Sequence, residues 1–366
     1  MIALFVFSFL LGFLLSLSLI PLIIKISFKK GFFDKPDERK IHISKNIPRL
    51  GGLCFLPVLA IVMTVVLSIG YKMSAPWILD VFNQHESHFL YGMISAFILF
   101  CFGALDDLWG VRYRTKFVGQ ILAGVLLCVS GLWISDLQGL FGLKTIPPVV
   151  GYPITIFAIV YITNAINFID GIDGLASSIC LMALIYFSVA FYSIGLYDYS
   201  LIALVIAGPV LGFMLFNLFG KPENHTKIFM GDTGSMFLGF VLSVLGIALN
   251  KYLDGSVSQN YNAFVMGFAP VILPCFDVLR VVFVRKRLGR NTFYADKNHI
   301  HHKFLSLGLS PYTVLLIVDF LTIIFAAIAI ILSKYVNVNI TLVVLLLLWT
   351  VMHVLLPNHF NESNEE

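Results

Sequence analysis

Long apolar runs separated by short polar segments recur along the whole chain. Each run approaches the roughly 20 residues that a helix needs to cross a bilayer. The runs are at 2–25, 51–69, 89–105, 117–135, 152–169, 175–194, 200–219, 234–250, 262–283, 312–332 and 339–356. The pattern predicts an all-α, polytopic integral membrane helix bundle with about 10–11 transmembrane helices. We expect one integral domain over 1–356 and a polar tail over 357–366.

Composition supports a membrane protein. The chain is 59% hydrophobic and only 12% charged, whereas soluble domains carry about 25% charged residues. The five cysteines all fall inside apolar runs and show no metal-type spacing, so we interpret them as packing residues. The first apolar run lacks a charged leader and a cleavage site, which favours a retained first helix.

Basic residues are distributed unevenly between the two predicted sides of the membrane. Segments 25–50, 106–116, 220–232 and 280–310 would share one side, and they contain nearly all the Lys and Arg residues. The exceptions are Lys72, Lys144, Lys251 and Lys334. Because cytoplasmic loops are enriched in Lys and Arg, the first set is predicted to be cytoplasmic. The N-terminus then lies outside and the 357–366 tail inside.

Five polar clusters fall on this predicted cytoplasmic side, each at the end of an apolar run. They span 45–52, 106–107, 164–174, 229–235 and 299–302. Acidic side chains beside a lipid core are costly and usually functional. Their convergence on one face suggests a metal-assisted site for a phosphorylated substrate.

The pair Asp106 and Asp107 follows an apolar run directly. One carboxylate could ligate a metal or orient a base while the other accepts a proton. The alternative is an ordinary acidic helix end, paired with Arg112, Arg114 and Lys116.

The residues Asn164, Asn167, Asp170 and Asp173 recur at every third position. Their carboxylate and amide oxygens would suit a hard cation such as Mg²⁺. The glycines of this segment disfavour a regular helix, so the chain is expected to unwind here. The alternative is a turn whose Asn and Asp residues cap the next helix, starting near Leu175.

The segment 231–235, which contains Asp232, opens an apolar run as a Gly-rich turn. Free N–H groups at a helix N-terminus bind phosphate, and Asp232 would then require a metal beside it. The alternative is an N-cap formed by Asp232 or Thr233.

The histidines of 299–302 lie in the most basic loop. These bases favour anion binding over a zinc site, although positive-inside topology explains part of the basic run.

Taken together and in order, these clusters resemble the polyprenyl-phosphate N-acetylhexosamine-1-phosphate transferases, over residues 34–309. The His-Ile-His-His form resembles the branch that starts O-antigen and wall teichoic acid linkers. The resemblance implies transfer of an N-acetylhexosamine-1-phosphate, with GlcNAc-1-phosphate expected, from its UDP-sugar to undecaprenyl phosphate, with release of UMP. It also implies Mg²⁺ or Mn²⁺, a bacterial inner membrane, a site facing the cytoplasm and no nucleic acid. Family members are often dimers, which allows a homodimer.

The resemblance also implies roles for single residues. Asn167 and Asp232 would hold the metal. Asp106 and Asp107 would prepare the lipid phosphate, with Asp106 accepting its proton, and Lys116 would bind phosphate. The remaining residues that the resemblance brings into the site are Asp170 and Asp173 in the catalytic set, Phe229 and Asp173 near the uridine, Arg49 and Asn164 with the substrate, and His299, His301 and His302 at the sugar or diphosphate.

Three alternatives remain open at this stage. One is a phospho-MurNAc-pentapeptide transferase-like enzyme, although that family usually shows three consecutive histidines. Another is a lipid phosphotransferase that uses a CDP-alcohol. The third is a secondary transporter, whose ionisable residues would lie nearer the bilayer midplane.

Overall fold

A computed structural model of the chain describes residues 1–33, 46–73, 85–253, 261–287, 289 and 299–356. Within these residues the fold is a bundle of long apolar helices. In the described part of the chain, ten helices are long and apolar enough to cross a membrane. The predicted all-α, polytopic membrane fold is therefore confirmed. Segment 34–45, which includes Lys45, and the 357–366 tail lie outside the described residues.

The described helices follow the apolar runs closely. They are α1 (Ile2–Lys30), α2 (Phe55–Lys72), α3 (Glu86–Trp109), α4 (Tyr113–Val129), α5 (Pro148–Ile169), α6 (Leu175–Ser193), α7 (Tyr197–Phe219), α8 (Gly231–Leu253), α9 (Ala263–Phe268), α10 (Ile272–Arg287), α11 (Ile300–Ser306), α12 (Pro311–Tyr335) and α13 (Val338–Leu355). A 3₁₀ turn, Gly51–Cys54, leads into α2.

Two predicted runs differ from the observed elements. The run 117–135 ends as a helix at Val129, and an antiparallel hairpin follows, Asp136–Leu140 paired with Leu143–Thr145. A left-handed glycine, Gly131, ends the helical path there. The run 262–283 is divided between α9 and α10 by the 3₁₀ turn Ala269–Val271. This turn contains a proline, which lacks the N–H of a regular helix.

Helix α8 lies at the centre of the bundle, and 83% of its most apolar stretch is buried. It packs against α3, α5 and α9, among others. Its contact with α3 is very close, because a Cβ atom on Gly103 would lie 2.5 Å from the Cα of Thr233. Only glycine permits this approach. The end of α3 is thereby held against the first turn of α8.

Contacts between helix ends define two faces of the bundle. At one face, Arg49, which precedes α2, and Lys116 in α4 both reach Asp232 in the first turn of α8. At the opposite face, His85 before α3 contacts Asp198 in α7. We call these the site face and the far face.

Candidate active site

Asp232 is the centre of a charged cluster at the site face. Its carboxylate lies 2.5 Å from the Arg49 guanidinium and 3.2 Å from the Lys116 ammonium. The amide nitrogen of Asn167, in the last turn of α5, donates to the same carboxylate and to the hydroxyl of Ser235. Asp232 is 3% exposed. A buried carboxylate needs such partners, because an isolated buried charge is very costly.

Asp107 caps the N-terminus of α8. It accepts hydrogen bonds from the backbone N–H groups of Asp232 and Thr233, both at 2.8 Å, and from the Thr233 hydroxyl at 2.6 Å. The predicted alternative, an N-cap by Asp232 or Thr233, is therefore wrong. The expectation that these N–H groups are free for phosphate is also wrong, because a carboxylate from α3 occupies them.

The turn before α8 requires glycine. Gly231 has a φ of 75°, and a Cβ there would lie 2.2 Å from the carbonyl oxygen of Arg49 and 2.5 Å from an Asp107 oxygen. The left-handed conformation and the crowding both exclude other residues. The sequence therefore places a glycine where α3, α8 and the segment that precedes α2 meet.

Asp106 has partners of its own in α4 and in the connection between α3 and α4. One of its oxygens lies 2.7 Å from the Lys116 ammonium, and the other accepts the backbone N–H of Val111 at 2.8 Å. The predicted pairing of this acidic helix end with Lys116 is present, and Lys116 bridges Asp106 to Asp232. Arg114 instead donates to Tyr113.

The three carboxylates form a candidate cation site. Asp106, Asp107 and Asp232 each offer one oxygen, and these oxygens all lie within 4.8 Å of one another. An oxygen-only ligand set at this spacing suits a hard cation such as Mg²⁺. The family resemblance gave the metal to Asn167 and Asp232, and the geometry places both carboxylates of α3 beside Asp232.

The glycine-containing segment between α5 and α6 is unwound, as predicted. Helix α5 ends at Ile169 and α6 begins at Leu175 after a left-handed Gly174. No side chain caps α6 in the described residues, so the capping alternative is not supported. Burial and the nearby Asp232 carboxylate raise the pKa of Asp170 to about 7.

Asp173 is held in an ion pair that the sequence did not suggest. Its carboxylate lies 2.7 Å from the ammonium of Lys227, which also donates to the backbone oxygen of Asn217. The Asn217 amide accepts from the Gly174 N–H at 2.6 Å and donates to the carbonyl of Ile228 at 2.9 Å. These bonds fix the 170–174 turn against the segment that leads into α8.

Phe229 lies in that segment, beside the approach to α2. Its backbone N–H donates to Pro48, and its carbonyl accepts from Gly51. The adjacent Met230 carbonyl accepts from Gly52. These backbone bonds join the 46–52 loop to the 229–231 turn, which sets the position of Arg49 beside Asp232.

The histidine segment covers the 170–174 turn. His299 lies 2.8 Å from a carboxylate oxygen of buried Asp277 in α10, whose other oxygen accepts the N–H of Ile300. The ring of His301 lies against Gly171, since a Cβ there would be 2.3 Å from its Nε2. The histidines are thus brought to the side of the cluster that contains Asp170.

The imidazole ring of His301 is buried, and its surroundings favour the uncharged form. Both ring nitrogens lack a hydrogen-bond partner among the described residues, and burial holds its pKa well below the usual range. Its ring stacks with that of His299 at a centroid distance of 5.8 Å, and the His302 ring lies 4.2 Å away at a tilt of 44°. A neutral imidazole can both donate and accept a hydrogen bond.

Asn164 is placed away from the charged cluster. It lies one helical turn before Asn167, and its amide pairs with the amide of Gln120 in α4. It also donates to the Val160 carbonyl. This pairing satisfies both amides inside the bundle. The contact of Asn164 with substrate stays a prediction.

Sequence reasoning missed three residues that support this face: Gln120, Lys227 and Asp277. Each is a polar residue within or beside an apolar run, and each is buried. Buried polar groups in membrane helices need partners, so this property was the available signal. It does not indicate which partner each residue would find.

The fold and the charged cluster define a polytopic helical membrane protein with a polar site at one end of its bundle. The sequence model of glycosyl transferase family 4 matches residues 89–250. This range contains the acids of α3, the 170–174 turn and the start of α8.

Curated relatives match over most of the chain. A Bacillus subtilis protein named probable undecaprenyl-phosphate N-acetylglucosaminyl 1-phosphate transferase is 32% identical over 334 residues, 90% of this chain and 85% of the relative. A Mycobacterium tuberculosis decaprenyl-phosphate N-acetylglucosaminephosphotransferase is 31% identical, over 80% of this chain and 74% of its own. An Escherichia coli undecaprenyl-phosphate alpha-N-acetylglucosaminyl 1-phosphate transferase is 27% identical, over 78% and 72%.

The chain belongs to glycosyl transferase family 4. It is therefore an enzyme of the glycosyl-1-phosphate transferase class, which confirms the family and the enzyme class expected from the sequence. Membership of an enzyme family removes the secondary transporter from the alternatives.

Proposed function

We propose that this enzyme transfers GlcNAc-1-phosphate from UDP-GlcNAc to undecaprenyl phosphate, releasing UMP. The product would be a lipid-diphosphate sugar that initiates a cell-envelope polysaccharide. The names of the relatives support a polyprenyl phosphate acceptor and a GlcNAc-1-phosphate group. The UDP carrier follows from the family resemblance.

The observation that carries this proposal is the clustering of Asp106, Asp107 and Asp232 with Arg49 and Lys116. All five lie at helix ends on the site face. A lipid phosphate lies at the membrane boundary, so its reaction must occur at such a face. The acids fit a divalent cation and the bases fit phosphate oxygens.

Mg²⁺ or Mn²⁺ fits the residues present. Asp232 and Asp106 would hold the ion, with Asn167 beside them. Asp107 would support them, since its oxygens already accept hydrogen bonds from α8. When bound, the ion would neutralise the diphosphate and stabilise the charge of the leaving UMP.

The reaction we propose is a direct displacement. An oxygen of the acceptor phosphate attacks the phosphorus bonded to the sugar, and the bond from that phosphorus to the UMP oxygen breaks. UMP leaves with the electron pair. Arg49 and Lys116 would offset the repulsion between two anionic reactants. A phosphate dianion needs little activation; if it carries a proton, Asp106 would accept it.

The donor would bind between the charged cluster and the histidine segment. The uridine would contact Phe229 and Asp173, and the sugar or diphosphate would contact His299, His301 and His302. The site would face the cytoplasm of a bacterial inner membrane, in agreement with the basic residues of the predicted cytoplasmic segments.

The test is a transfer assay with purified enzyme, radiolabelled UDP-GlcNAc, undecaprenyl phosphate and Mg²⁺. We expect label in the organic phase and an equal amount of released UMP. UDP-GalNAc and UDP-MurNAc-pentapeptide, supplied in parallel, test the donor. Preferred transfer from UDP-MurNAc-pentapeptide would replace this proposal with that alternative.

The matched variants are Asp232→Asn at the cluster and Asp136→Asn on the far-face hairpin. Removing the Asp232 charge eliminates a cation ligand and leaves Arg49 and Lys116 without their shared partner. We expect Asp232→Asn to lower kcat by at least about 10²-fold. The kcat of Asp136→Asn should equal that of the unmodified enzyme. Full activity in Asp232→Asn would refute the metal assignment.

A further inference from the structure

A cavity lies on the opposite side of the bundle from the charged cluster. It lies between α2, α3, α7 and α8. None of the proposed catalytic residues lines it. We call it the far-face crevice.

The crevice is apolar along its depth and polar at one end. Leu59, Met93, Ala96, Ile206 and Phe240 are among the residues that line its apolar part. The polar end is formed by His85, His88 and Asp198, at the start of α3 and α7. By helical rise, Ala96 lies about 16 Å deeper in the membrane than His85. The cavity therefore has the polarity profile of an amphiphile aligned with the helices.

Asp198 has an unused acceptor at the polar end. One carboxylate oxygen lies 2.7 Å from the His85 ring. The other has no hydrogen-bond partner among the described residues, although Asp198 is only 4% exposed. A buried carboxylate oxygen left without a donor costs free energy. Because Asp198 also lines the crevice, a cationic N–H donor bound there would satisfy it.

A positive charge lies near the same end. The Lys251 ammonium is 5.7 Å from the Tyr252 ring centroid and donates to the Gly131 carbonyl. The ring of Tyr252 lies 4.9 Å from that of His85, and its hydroxyl lies 3.1 Å from His88. The polar end of the crevice thus offers the carboxylate of Asp198 to a cation, and the ammonium of Lys251 lies close by for an anion.

We propose that the far-face crevice binds one phospholipid with an ethanolamine headgroup. One hydrocarbon chain would occupy the apolar part between α2, α3, α7 and α8. The ammonium of the headgroup would donate to the unpartnered oxygen of Asp198, and its phosphate would lie towards Lys251. A choline headgroup has no N–H donor, and a glycerol headgroup has no positive charge, so neither satisfies Asp198 in the same way.

The test is native mass spectrometry of the full chain released from nanodiscs. Three nanodisc preparations share the same acyl chains and differ in headgroup: phosphatidylethanolamine, phosphatidylcholine or phosphatidylglycerol. We expect one retained phosphatidylethanolamine per chain, and at least several-fold less retention of the other two. Equal retention of all three lipids would overturn the proposal. Preferential retention of phosphatidylglycerol would also overturn it.

A bulky substitution at Gly92 tests the position of the chain. Gly92 lines the crevice, and a Cβ there would have no atom within 4 Å, so a side chain at this position starts in open space. Gly92→Phe should fill the crevice and reduce lipid retention to background. Ile94→Phe is the matched control, because Ile94 is on the same helix and 51% exposed. Retention that is unchanged in Gly92→Phe would place the lipid elsewhere.

Asp198→Asn tests the headgroup. It keeps the size of the side chain and a hydrogen-bonding group near His85 while removing the charge. We expect a lipid to remain bound, with the preference for ethanolamine over choline reduced to near parity. A preference that persists in Asp198→Asn would refute the assigned contact. Because every readout is binding, these results are independent of whether the proposed transfer reaction is correct.

Discussion

Asp107 and Asp232 are both carboxylates at the start of α8, but their surroundings differ. Asp107 accepts two backbone N–H groups and a hydroxyl from the first turn of α8. Asp232 instead contacts the side chains of Arg49, Lys116 and Asn167. Asp107 therefore positions the helix, whereas the carboxylate of Asp232 faces the bases of the cluster.

This difference predicts two separable phenotypes. In Asp107→Asn, the amide nitrogen must face a backbone N–H of α8 in either orientation, so the cap of α8 is weakened. We expect a loss of about 1–2 kcal/mol of stability, measured as a lower thermal midpoint, together with reduced activity. Asp232→Asn should lose activity without a comparable fall in midpoint. Identical thermal midpoints for Asp107→Asn and the unmodified enzyme would contradict the capping role.

Asp277 is a positioning residue for the histidine segment. It lies 2.8 Å from the His299 ring and accepts the N–H of Ile300. Asp277→Asn should misorient His299 and lower activity about 10–100-fold, as the loss of an orienting partner does at metal-bound histidines.

The control is a double-mutant cycle with His299→Ala. If Asp277 acts through His299, the two effects are not additive, and adding Asp277→Asn to His299→Ala changes little. Fully additive losses in kcat would show that Asp277 acts by another route.

At the scale of elements, the site depends on how closely α3 approaches α8. A Cβ on Gly103 would lie 2.5 Å from the Cα of Thr233, a backbone atom that cannot move aside. Gly103→Val should therefore separate the two helices and displace Asp106 and Asp107 from Asp232. We expect a loss of activity of about 10²-fold, because misplacement by an ångström has effects of this size.

Gly92→Val on the same helix is the matched control. A Cβ at Gly92 meets no atom within 4 Å, so the substitution changes α3 without pushing it from α8. Activity and thermal midpoint should both remain close to those of the unmodified enzyme. Equal losses in the two variants would mean that α3 tolerates no larger residue anywhere, and the close approach would not be the cause.

At the scale of the whole molecule, the distribution of Lys and Arg predicts the orientation. Lys144 is exposed on the far-face hairpin, and Lys221 is exposed at the site face. In intact cells, Lys144→Cys should react with a membrane-impermeant maleimide, whereas Lys221→Cys should react only after permeabilisation. The five native cysteines are buried or partly buried, which limits the background. The reverse labelling pattern would place the charged cluster outside the cell.

The number and order of the helices could be predicted from the sequence because lipid imposes a local rule. A spanning segment must be apolar over a fixed length, and its backbone must be satisfied internally. The bounds of α6 and α12 follow their runs closely for this reason. The hairpin after α4 could not be predicted in this way. Residues 130–135 are apolar enough to continue a helix, and only the turn at Gly131 ends the helix.

By itself, the sequence determined which ends of the helices carry acids, amides, bases and histidines, because these residues cannot lie among lipid chains without a partner. Only the tertiary structure decided which partner each one has. Asp107 caps α8, Asn164 pairs with Gln120, and Lys227 reaches Asp173 because helices distant in sequence pack side by side. The cost of burying a polar group is a property of the residue, whereas the group that offsets this cost depends on the packing of the whole bundle.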